Sequence, residues 1–484
     1  MTNVNLQVSS QKYISLGVLL GLLVIIIPVF MFNIGADGSN PYVDELSPFI
    51  VLSMSCFVLF VLWVNRNRRI AVLEVFIFVY IIFWHFRFLT LALFPDGELV
   101  LTRTVLIDSE IFNDYIWLVF ISLVATVIGI CIGFGLSNIK SERYKEKKRR
   151  CSHKLTILVY RKKYNILLYC LFAFGYELYF MQILPGFLPS WKGYLGFLFS
   201  FEFFLFLVAL TLLNELVSTK FKVIMFTLIL LYVLMTVISG SRSVLMHFVI
   251  VVLFLLLVFD KPIKFRLRHF FLILLIGIFI VFSFAYGTYQ RHTRSISGFS
   301  FNLESTQYIL KNIGEMESWE GMLGVAAARA GFLDFSAELF ANPKYGEVVT
   351  IENIIKATID GSTPGAIFED SKLLEHRIKD IYNPNKTGYQ SDALGVVGEN
   401  YLLFGYASPF VIAFVAFIIT YIYYASNWSI FGVYIKFIMA LVLMNWWNSF
   451  GYDLLFLNFT RQLVFGFILL TLIFYLRVGS NLKK

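Results

Sequence analysis

The chain has 484 residues, of which 58% are hydrophobic and only 15% are charged, and it contains 53 Phe and 26 Tyr. This composition leaves too little polar surface to cover a water-soluble globule of that length, so it predicts a polytopic membrane protein. The net charge of +9 does not indicate a nucleic-acid partner, because the basic residues form no basic face among polar residues and instead mark the ends of apolar segments.

Apolar runs of about 17 to 25 residues alternate with short polar connectors, and runs of this length cross a bilayer as α-helices. We therefore predict an all-α polytopic membrane protein with about twelve transmembrane helices and one large, mainly helical outer loop. Nine helices occupy residues 1–288, the loop occupies 289–399, and three helices occupy 400–484. The predicted spans are 14–32, 47–64, 71–94, 111–136, 165–184, 195–217, 223–239, 243–259, 270–288, 400–424, 430–449 and 454–476.

Lysine and arginine are distributed unequally over the connectors. With the N-terminus inside, the inner segments hold 24 of them, whereas the short outer connectors hold only Arg103, Lys192 and Arg242. By the positive-inside rule, both termini are expected in the cytoplasm and the 289–399 loop outside. This loop carries ten Lys and Arg and fifteen Asp and Glu, and it is the one water-facing region large enough to fold over a site.

The first span lacks a small-residue cleavage site and a strongly basic leading region, so we expect a retained helix rather than a signal peptide. None of the four cysteines lies in the outer loop, which argues against a disulfide framework or a thiolate metal site. Carboxylates and histidines show no metal-ligand spacing. We therefore expect neither a metal nor another cofactor.

Four charged residues share a depth within the predicted spans. Arg87, Glu177, Glu202 and Arg461 each lie seven residues from the outer end of a span, which places them roughly 10 Å below the outer surface. They either form ion pairs that hold helices together or line a polar cavity open to the outside. Lys436 lies near an inner end, where its side chain is expected to snorkel toward the head groups.

Two arginine-containing segments lie at the predicted outer rim. The connector from Ile238 to Ser243 combines Gly240, Ser241 and Arg242, whose backbone N–H groups and guanidinium suit a diphosphate. Arg291 and His292 follow the ninth span directly. Both segments are open to a second interpretation, which is anchoring to lipid head groups.

The outer loop contains further candidates. Helical spacing of apolar residues predicts a helix over 321–342 that carries Arg329, and a second helix is predicted over 366–381. Glu399 lies where the loop re-enters the membrane. An acid at this position is either functional or a partner for the helix dipole.

The order of these features resembles the Wzy-type O-antigen or oligosaccharide repeat-unit polymerases, which are GT-C-like membrane glycosyltransferases. The shared features are the span number, a G-S-R turn at an outer rim, a late outer loop with an Arg-containing helix, and a G-E-x-Y-x-x-F-G segment. The residues that carry the resemblance are Gly240, Ser241, Arg242, Arg329, Gly398, Glu399, Tyr401, Phe404 and Gly405. No loop histidine aligns with the catalytic histidine of the related O-antigen ligases.

The resemblance implies a reaction at the periplasmic face of the bacterial cytoplasmic (inner) membrane. A glycan would pass from one undecaprenyl-diphosphate-linked oligosaccharide to a sugar hydroxyl of a second lipid-linked unit, in the synthesis of O-antigen, capsule or exopolysaccharide. Besides these substrates and the bilayer, a polysaccharide chain-length regulator is an implied partner.

The leaving diphosphate needs fixed cations in a site of low dielectric. We expect Arg242, Arg291 and Arg329 to bind it, with Arg87 and Arg461 in support. The acceptor hydroxyl needs a general base, for which Glu399 is the first candidate and His292 the second. The residues expected to support the site are Gly240, Ser241, Glu177, Glu202 and Tyr401.

Two other functions remain open from the sequence. An O-antigen ligase-like transferase would use the same donor but would transfer the glycan to lipid A core. A lipid-linked oligosaccharide flippase would have a similar number of spans. Transporters more often show internal duplication and short loops, so the long asymmetric loop argues against a flippase.

Overall fold

The structure is a computed structural model that describes residues 46–68, 70–85, 109–137, 142–180, 198–238, 349–362, 367–368, 377, 395–448 and 452–475. Most of these residues are helical and none of them forms a strand, so the all-α fold class is confirmed for the described part of the chain. The predicted spans 14–32, 243–259 and 270–288 and most of the outer loop lie outside it.

The described helices are numbered in chain order. In the first half they are α1 (Leu46–Arg68), α2 (Ala71–Tyr80, extended by a π-helical turn at Ile81–His85), α3 (Ser109–Leu136), α4 (Glu142–Arg161), α5 (Lys163–Phe180), α6 (Phe201–Leu213) and α7 (Thr219–Ile238). In the second half they are α8 (Ile351–Ser362), α9 (Gly395–Phe404), α10 (Ser408–Ala425), α11 (Ile430–Asn448) and α12 (Tyr452–Tyr475).

Several of these helices have the length and composition of membrane spans. Within the described residues, four stretches are long and apolar enough to cross a membrane: Asn113–Leu136, Gly395–Ala425, Ile430–Trp447 and Leu455–Tyr475. The predicted span 195–217 is instead the 13-residue helix α6, which at 1.5 Å per residue is shorter than a ~30 Å hydrocarbon core. Every residue from Phe203 to Thr211 is buried, so other parts of the protein surround α6.

The most extensive helix–helix contact of the described residues joins α3 to α10. Small residues permit it: a Cβ on Gly133 would lie 2.8 Å from the backbone oxygen of Phe417, and one on Gly129 would lie even closer to the oxygen of Ala413. The two glycines are four residues apart and therefore lie on one face of α3, as in the small-xxx-small motif of membrane helices. This contact fastens the N-terminal part of the chain to the C-terminal part.

The predicted span 400–424 is not one continuous helix. Helix α9 begins at Gly395, a 3-10 turn at Gly405–Ala407 interrupts the helical path, and α10 starts at Ser408. Gly405 has φ +56°, a left-handed conformation that side chains with a Cβ disfavour, and Pro409 supplies a favourable first turn for α10. Hydropathy could not reveal the interruption, because both helices are apolar.

Helix α8 lies within the predicted outer loop, at a position where no helix was predicted from the sequence. It packs on α12 through Ile354 and Ala357, which are buried, while Ile351, Ile355 and Ile359 are exposed. Asp360 accepts hydrogen bonds from the backbone N–H groups of Ile367 and Phe368. The predicted helix over 366–381 is described only at positions 367, 368 and 377, and the first two form a bend.

Lys436 contradicts the snorkelling prediction, because its side chain is only 1% exposed. The ammonium group donates a hydrogen bond to the backbone oxygen of Tyr423, at 3.0 Å, and lies 4.6 Å from the ring centroid of Trp428. Tyr423 is in the last turn of α10, where carbonyl groups lack intrahelical partners. The lysine therefore caps α10 from α11 and is shielded by aromatic rings.

We expect Gly129→Ala and Gly133→Ala to destabilise the protein, because the new methyl group would force α3 away from the α10 backbone. Overpacking of this kind costs about 1–3 kcal/mol. The check is the thermal unfolding midpoint of the purified protein in detergent. Gly135→Ala is the matched control, since nothing lies within 4 Å of its Cβ position. Equal midpoints for all three variants would contradict the close contact.

A second pair of variants tests the docking of α8 on α12. Ile354 is 6% exposed and its neighbour Ile355 is 52% exposed. Ile354→Ala is expected to weaken the docking by about 2–5 kcal/mol, so that trypsin cleaves after Lys356 at least ten times faster. Ile355→Ala should leave the cleavage rate within about twofold. If both variants resist trypsin like the parent protein, α8 does not depend on this contact.

Candidate functional site

The structure describes some of the predicted site residues. Those outside the described residues are Arg87, Gly240, Ser241, Arg242, Arg291, His292 and Arg329, together with the helix predicted over 321–342. Those within it are Glu177, Glu202, Glu399, Tyr401 and Arg461. That Arg242, Arg291 and Arg329 lie close together therefore stays a prediction.

Glu399 is the predicted site residue with the clearest surroundings. It lies in α9, is completely buried, and its two carboxylate oxygens accept the backbone N–H of Tyr452 at 2.8 and 3.0 Å. Tyr452 is the first residue of α12, whose leading N–H groups lack intrahelical partners. The carboxylate thus caps the N-terminus of the last helix, where the helix dipole favours a negative charge.

Two neighbouring residues that we did not predict complete this cap. The hydroxyl of Tyr452 donates to Asn400 Oδ1 at 2.9 Å, and Asn400 Nδ2 donates to the backbone oxygen of Val396 at 2.7 Å. Asn400 is as fully buried as Glu399. The sequence signal for Asn400 was its position directly after Glu399, because these two polar residues interrupt an otherwise apolar stretch. The result is a polar connection between the end of the outer loop and α12.

Tyr401 and Gly405 belong to the same G-E-x-Y-x-x-F-G segment as Glu399. The Tyr401 ring is half-buried and meets the ring of Tyr406 edge-on, with centroids 5.7 Å apart. Since Gly405 turns the chain between them, the G-E-x-Y-x-x-F-G segment combines a helix cap, an aromatic contact and a left-handed turn within a few residues.

The surroundings of Arg461 and Glu202 are connected through Tyr434, which interacts electrostatically with Glu202 and donates from its hydroxyl to the backbone oxygen of Gln462, the residue after Arg461. Arg461 is half-buried on α12, nine residues after Tyr452, so it lies about 13 Å further along the helix axis than the Glu399 cap. Glu202 is half-buried in the first turn of α6, and Glu177 belongs to α5. Arg461 therefore lies on the same helix as the Tyr452 N–H, about two and a half turns further along.

An aromatic cluster adjoins the cap through Trp446. Its ring centroid lies 6.3 Å from that of Tyr452, and the next residue, Trp447, packs edge-on against three rings of α2 and its π-helical turn: Phe76, Tyr80 and Trp84. Trp84 Nε1 donates to the backbone oxygen of Trp447 at 3.1 Å. The cluster joins the end of α2 to the end of α11.

Metal-ligating residue types do not converge in the part of the chain that the structure describes. There, no group of three or more His, Cys, Asp or Glu side chains could hold a metal ion. The arrangement of Glu399, Asn400 and Tyr452 instead offers hydrogen-bonding groups in an apolar setting.

The chain was also compared with known proteins. Neither a curated protein nor a solved structure matches it significantly. The family model described as O-antigen polysaccharide polymerase Wzy matches residues 14–318, a range that includes Arg87, Arg242, Arg291 and His292. Glu399 and Arg461 follow the matched range. Because the match covers more than half of the 484 residues, the protein belongs to the Wzy family of O-antigen polysaccharide polymerases.

Proposed function

We propose that the protein polymerises oligosaccharide repeat units that are linked to undecaprenyl diphosphate, for the synthesis of O-antigen, capsule or exopolysaccharide. The growing glycan passes from its lipid carrier to a sugar hydroxyl of the incoming lipid-linked unit. The observation that carries this proposal is the family match over residues 14–318, and the apolar helices support a multi-pass membrane protein.

The proposed reaction takes place at the periplasmic face of the inner membrane, with both termini in the cytoplasm. The 24 to 3 distribution of Lys and Arg over inner and outer connectors supports this orientation. Because no nucleotide sugar is available outside the cytoplasm, the donor must be carried by a lipid. A chain-length regulator is the proposed protein partner.

Arg242, Arg291 and Arg329 are the proposed ligands of the leaving diphosphate, with Arg87 and Arg461 in support. As the glycosidic bond to the carrier breaks, negative charge develops on the diphosphate, and guanidinium groups can bind its oxygens in a bidentate manner. Gly240 and Ser241 supply backbone N–H groups beside Arg242. Glu177, Glu202 and Tyr401 are proposed to support the site from the membrane side.

The proposed general base is Glu399, with His292 as the second candidate. Burial of Glu399 in an apolar setting supports a role in chemistry. Its contact with the Tyr452 N–H supports a second role, which is to position α12. The two roles make different demands, because a cap needs only an acceptor oxygen, whereas a base must take a proton.

The polymerase proposal predicts the surface glycan of a strain that lacks this chain. Single repeat units should still reach the cell surface, but the ladder of longer glycans on a gel should disappear and should return with the plasmid-borne chain. A ladder that persists in the deletion strain would rule out the proposed reaction. Loss of single units as well would indicate a flippase.

Replacement of a clamp arginine should remove polymer without removing the protein. We expect Arg242→Ala and Arg329→Ala each to lower the polymerisation rate by about 10² to 10³, as for other groups that stabilise a developing negative charge. Rates are measured with lipid-linked repeat units and protein in detergent, after membrane insertion has been verified. Arg103→Ala, in another predicted outer connector, is the matched control and should retain its rate. Long polymer from the first two variants would show that the arginines are not the clamp.

The two roles of Glu399 are separated by Glu399→Gln. Glutamine keeps an oxygen that accepts the Tyr452 N–H but cannot act as a base, so the variant should fold like the parent and lose at least about 10² in rate. Glu399→Ala should also lower the thermal unfolding midpoint, since loss of a helix cap costs ~1 kcal/mol. Normal polymer from Glu399→Gln would assign the carboxylate to the cap alone and leave His292 as the candidate base.

A further inference from the structure

Basic residues from two parts of the chain gather near the junction of α4 and α5. Arg161 is the last residue of α4 and Lys163 the first of α5, while Lys220 and Lys222 lie in the first turn of α7. We refer to these four residues as the basic patch. The proposed polymerase mechanism uses none of them, so their charge needs a separate explanation.

The ammonium group of Lys163 brings the two parts of the chain together. It lies 4.4 Å from the ring centroid of Tyr160, 5.2 Å from that of Tyr164 and 5.9 Å from that of Phe221 in α7. The rings of Tyr164 and Phe221 also meet edge-on, with centroids 5.8 Å apart. Because both chain neighbours of Phe221 are lysines, the patch combines cations from two distant segments.

The patch lies at one end of the membrane-spanning helices. Asn165, two residues after Lys163, donates from Nδ2 to the backbone oxygen of Ile473 in the last turn of α12, at 2.9 Å. The start of α5 therefore lies beside the end of α12, and the charge distribution predicts that both face the cytoplasm. Tyr160 and Tyr164 are exposed there, as tyrosines commonly are at the boundary between acyl chains and head groups.

Acidic partners do not neutralise the patch. Among the described residues, no carboxylate forms an ion pair with Arg161, Lys163, Lys220 or Lys222. The nearest acid along the chain is Glu215, which precedes α7. The two lysines of α7 also lie at a helix N-terminus, where the helix dipole favours anions and disfavours cations. A bound anion would offset both the mutual repulsion of the cations and this unfavourable position.

Apolar surface begins directly beside these cations. On α7, the side chains of Val223, Ile224 and Phe226 follow the patch, and each is about half exposed. On α5, Leu168 and Phe172 are exposed to a similar degree. An anion that matches both features carries a phosphate group for the cations and acyl chains for the apolar side chains. A soluble phosphate, a nucleic acid or an acidic peptide offers only the negative charge.

We propose that the basic patch binds the head group of an anionic phospholipid. The ammonium groups of its three lysines and the guanidinium of Arg161 contact the phosphate oxygens, and the aromatic rings around Lys163 hold that cation in place. The acyl chains lie in the bilayer along α5 and α7. Bound in this way, the lipid connects the junction of α4 and α5 to the start of α7. This inference does not depend on the polymerase reaction.

Two variants and a matched control test the site. A lysine near an anionic lipid surface contributes roughly a fivefold gain in affinity. Lys163→Gln should therefore raise the Kd for the lipid ~5-fold, and Lys220→Gln combined with Lys222→Gln should raise it ~25-fold. Lys356→Gln, on α8 of the predicted outer loop, makes the same charge change outside the patch and should stay within about twofold.

The experiment uses the full chain in detergent, and native mass spectrometry reports the Kd of the first bound lipid. Phosphatidylglycerol is the anionic probe and phosphatidylcholine the zwitterionic one, and the parent protein should bind the former at least ~10-fold more tightly. Lys220→Arg combined with Lys222→Arg keeps both charges and should bind like the parent. Glycerol phosphate, which lacks acyl chains, should not displace the lipid at equal concentration.

Four results would overturn the lipid site. They are equal Kd values for the two lipids, an unchanged Kd in both glutamine variants, an equal loss in Lys356→Gln, and displacement of the lipid by glycerol phosphate or a short oligonucleotide. Thermal unfolding midpoints without lipid show whether a variant merely unfolds the protein. Because lipid binding is measured without the glycan substrate, failure of the polymerase proposal would leave these results unchanged.

Discussion

Backbone contact between α3 and α10 is the constraint on which the described structure depends. Lipid tails are as apolar as leucine side chains, so helices in a membrane gain little from hydrophobic burial against one another and rely on close packing. Gly129 and Gly133 allow that packing because they have no side chain to keep the α10 backbone at a distance. Since α10 comes nearly 300 residues after α3, their contact brings distant parts of the chain together.

The position of α10 in turn determines the geometry at Glu399. Helix α9 precedes the Gly405 turn. The buried carboxylate of Glu399, in α9, accepts a hydrogen bond from the backbone N–H of Tyr452, the first residue of α12. The Trp446 and Trp447 cluster ties the adjoining end of α11 to the end of α2. One polar cap and one aromatic cluster therefore lie side by side, and together they connect helices from both halves of the chain.

Hydropathy predicted the long helices well and their interruptions poorly. The predicted spans 111–136, 430–449 and 454–476 agree with α3, α11 and α12 to within two residues at each described end, because polar residues flank uniform apolar runs. The π-helical turn at His85 and the break at Gly405 lie inside apolar runs, where only backbone conformation changes. The contact between Glu399 and Tyr452 joins residues 53 positions apart, which no local pattern encodes.

For the candidate site residues too, the sequence revealed some features and only the structure revealed others. Glu399 was recognised from its place in the G-E-x-Y-x-x-F-G segment, but its role as a helix cap depended on the arrangement of α9 and α12. Asn400 was not recognised, because its hydrogen bond with Tyr452 joins residues 52 positions apart and depends on the arrangement of α9 and α12.

The buried contact of Lys436 has a consequence for how the protein enters the membrane. A charged lysine without a partner opposes the partitioning of its helix into lipid. Here its ammonium group meets the last turn of α10, thirteen residues earlier in the chain, beneath Trp428. Helix α11 therefore gains from leaving the translocation channel together with α10 as a preformed helical hairpin, so that the cation never faces lipid alone.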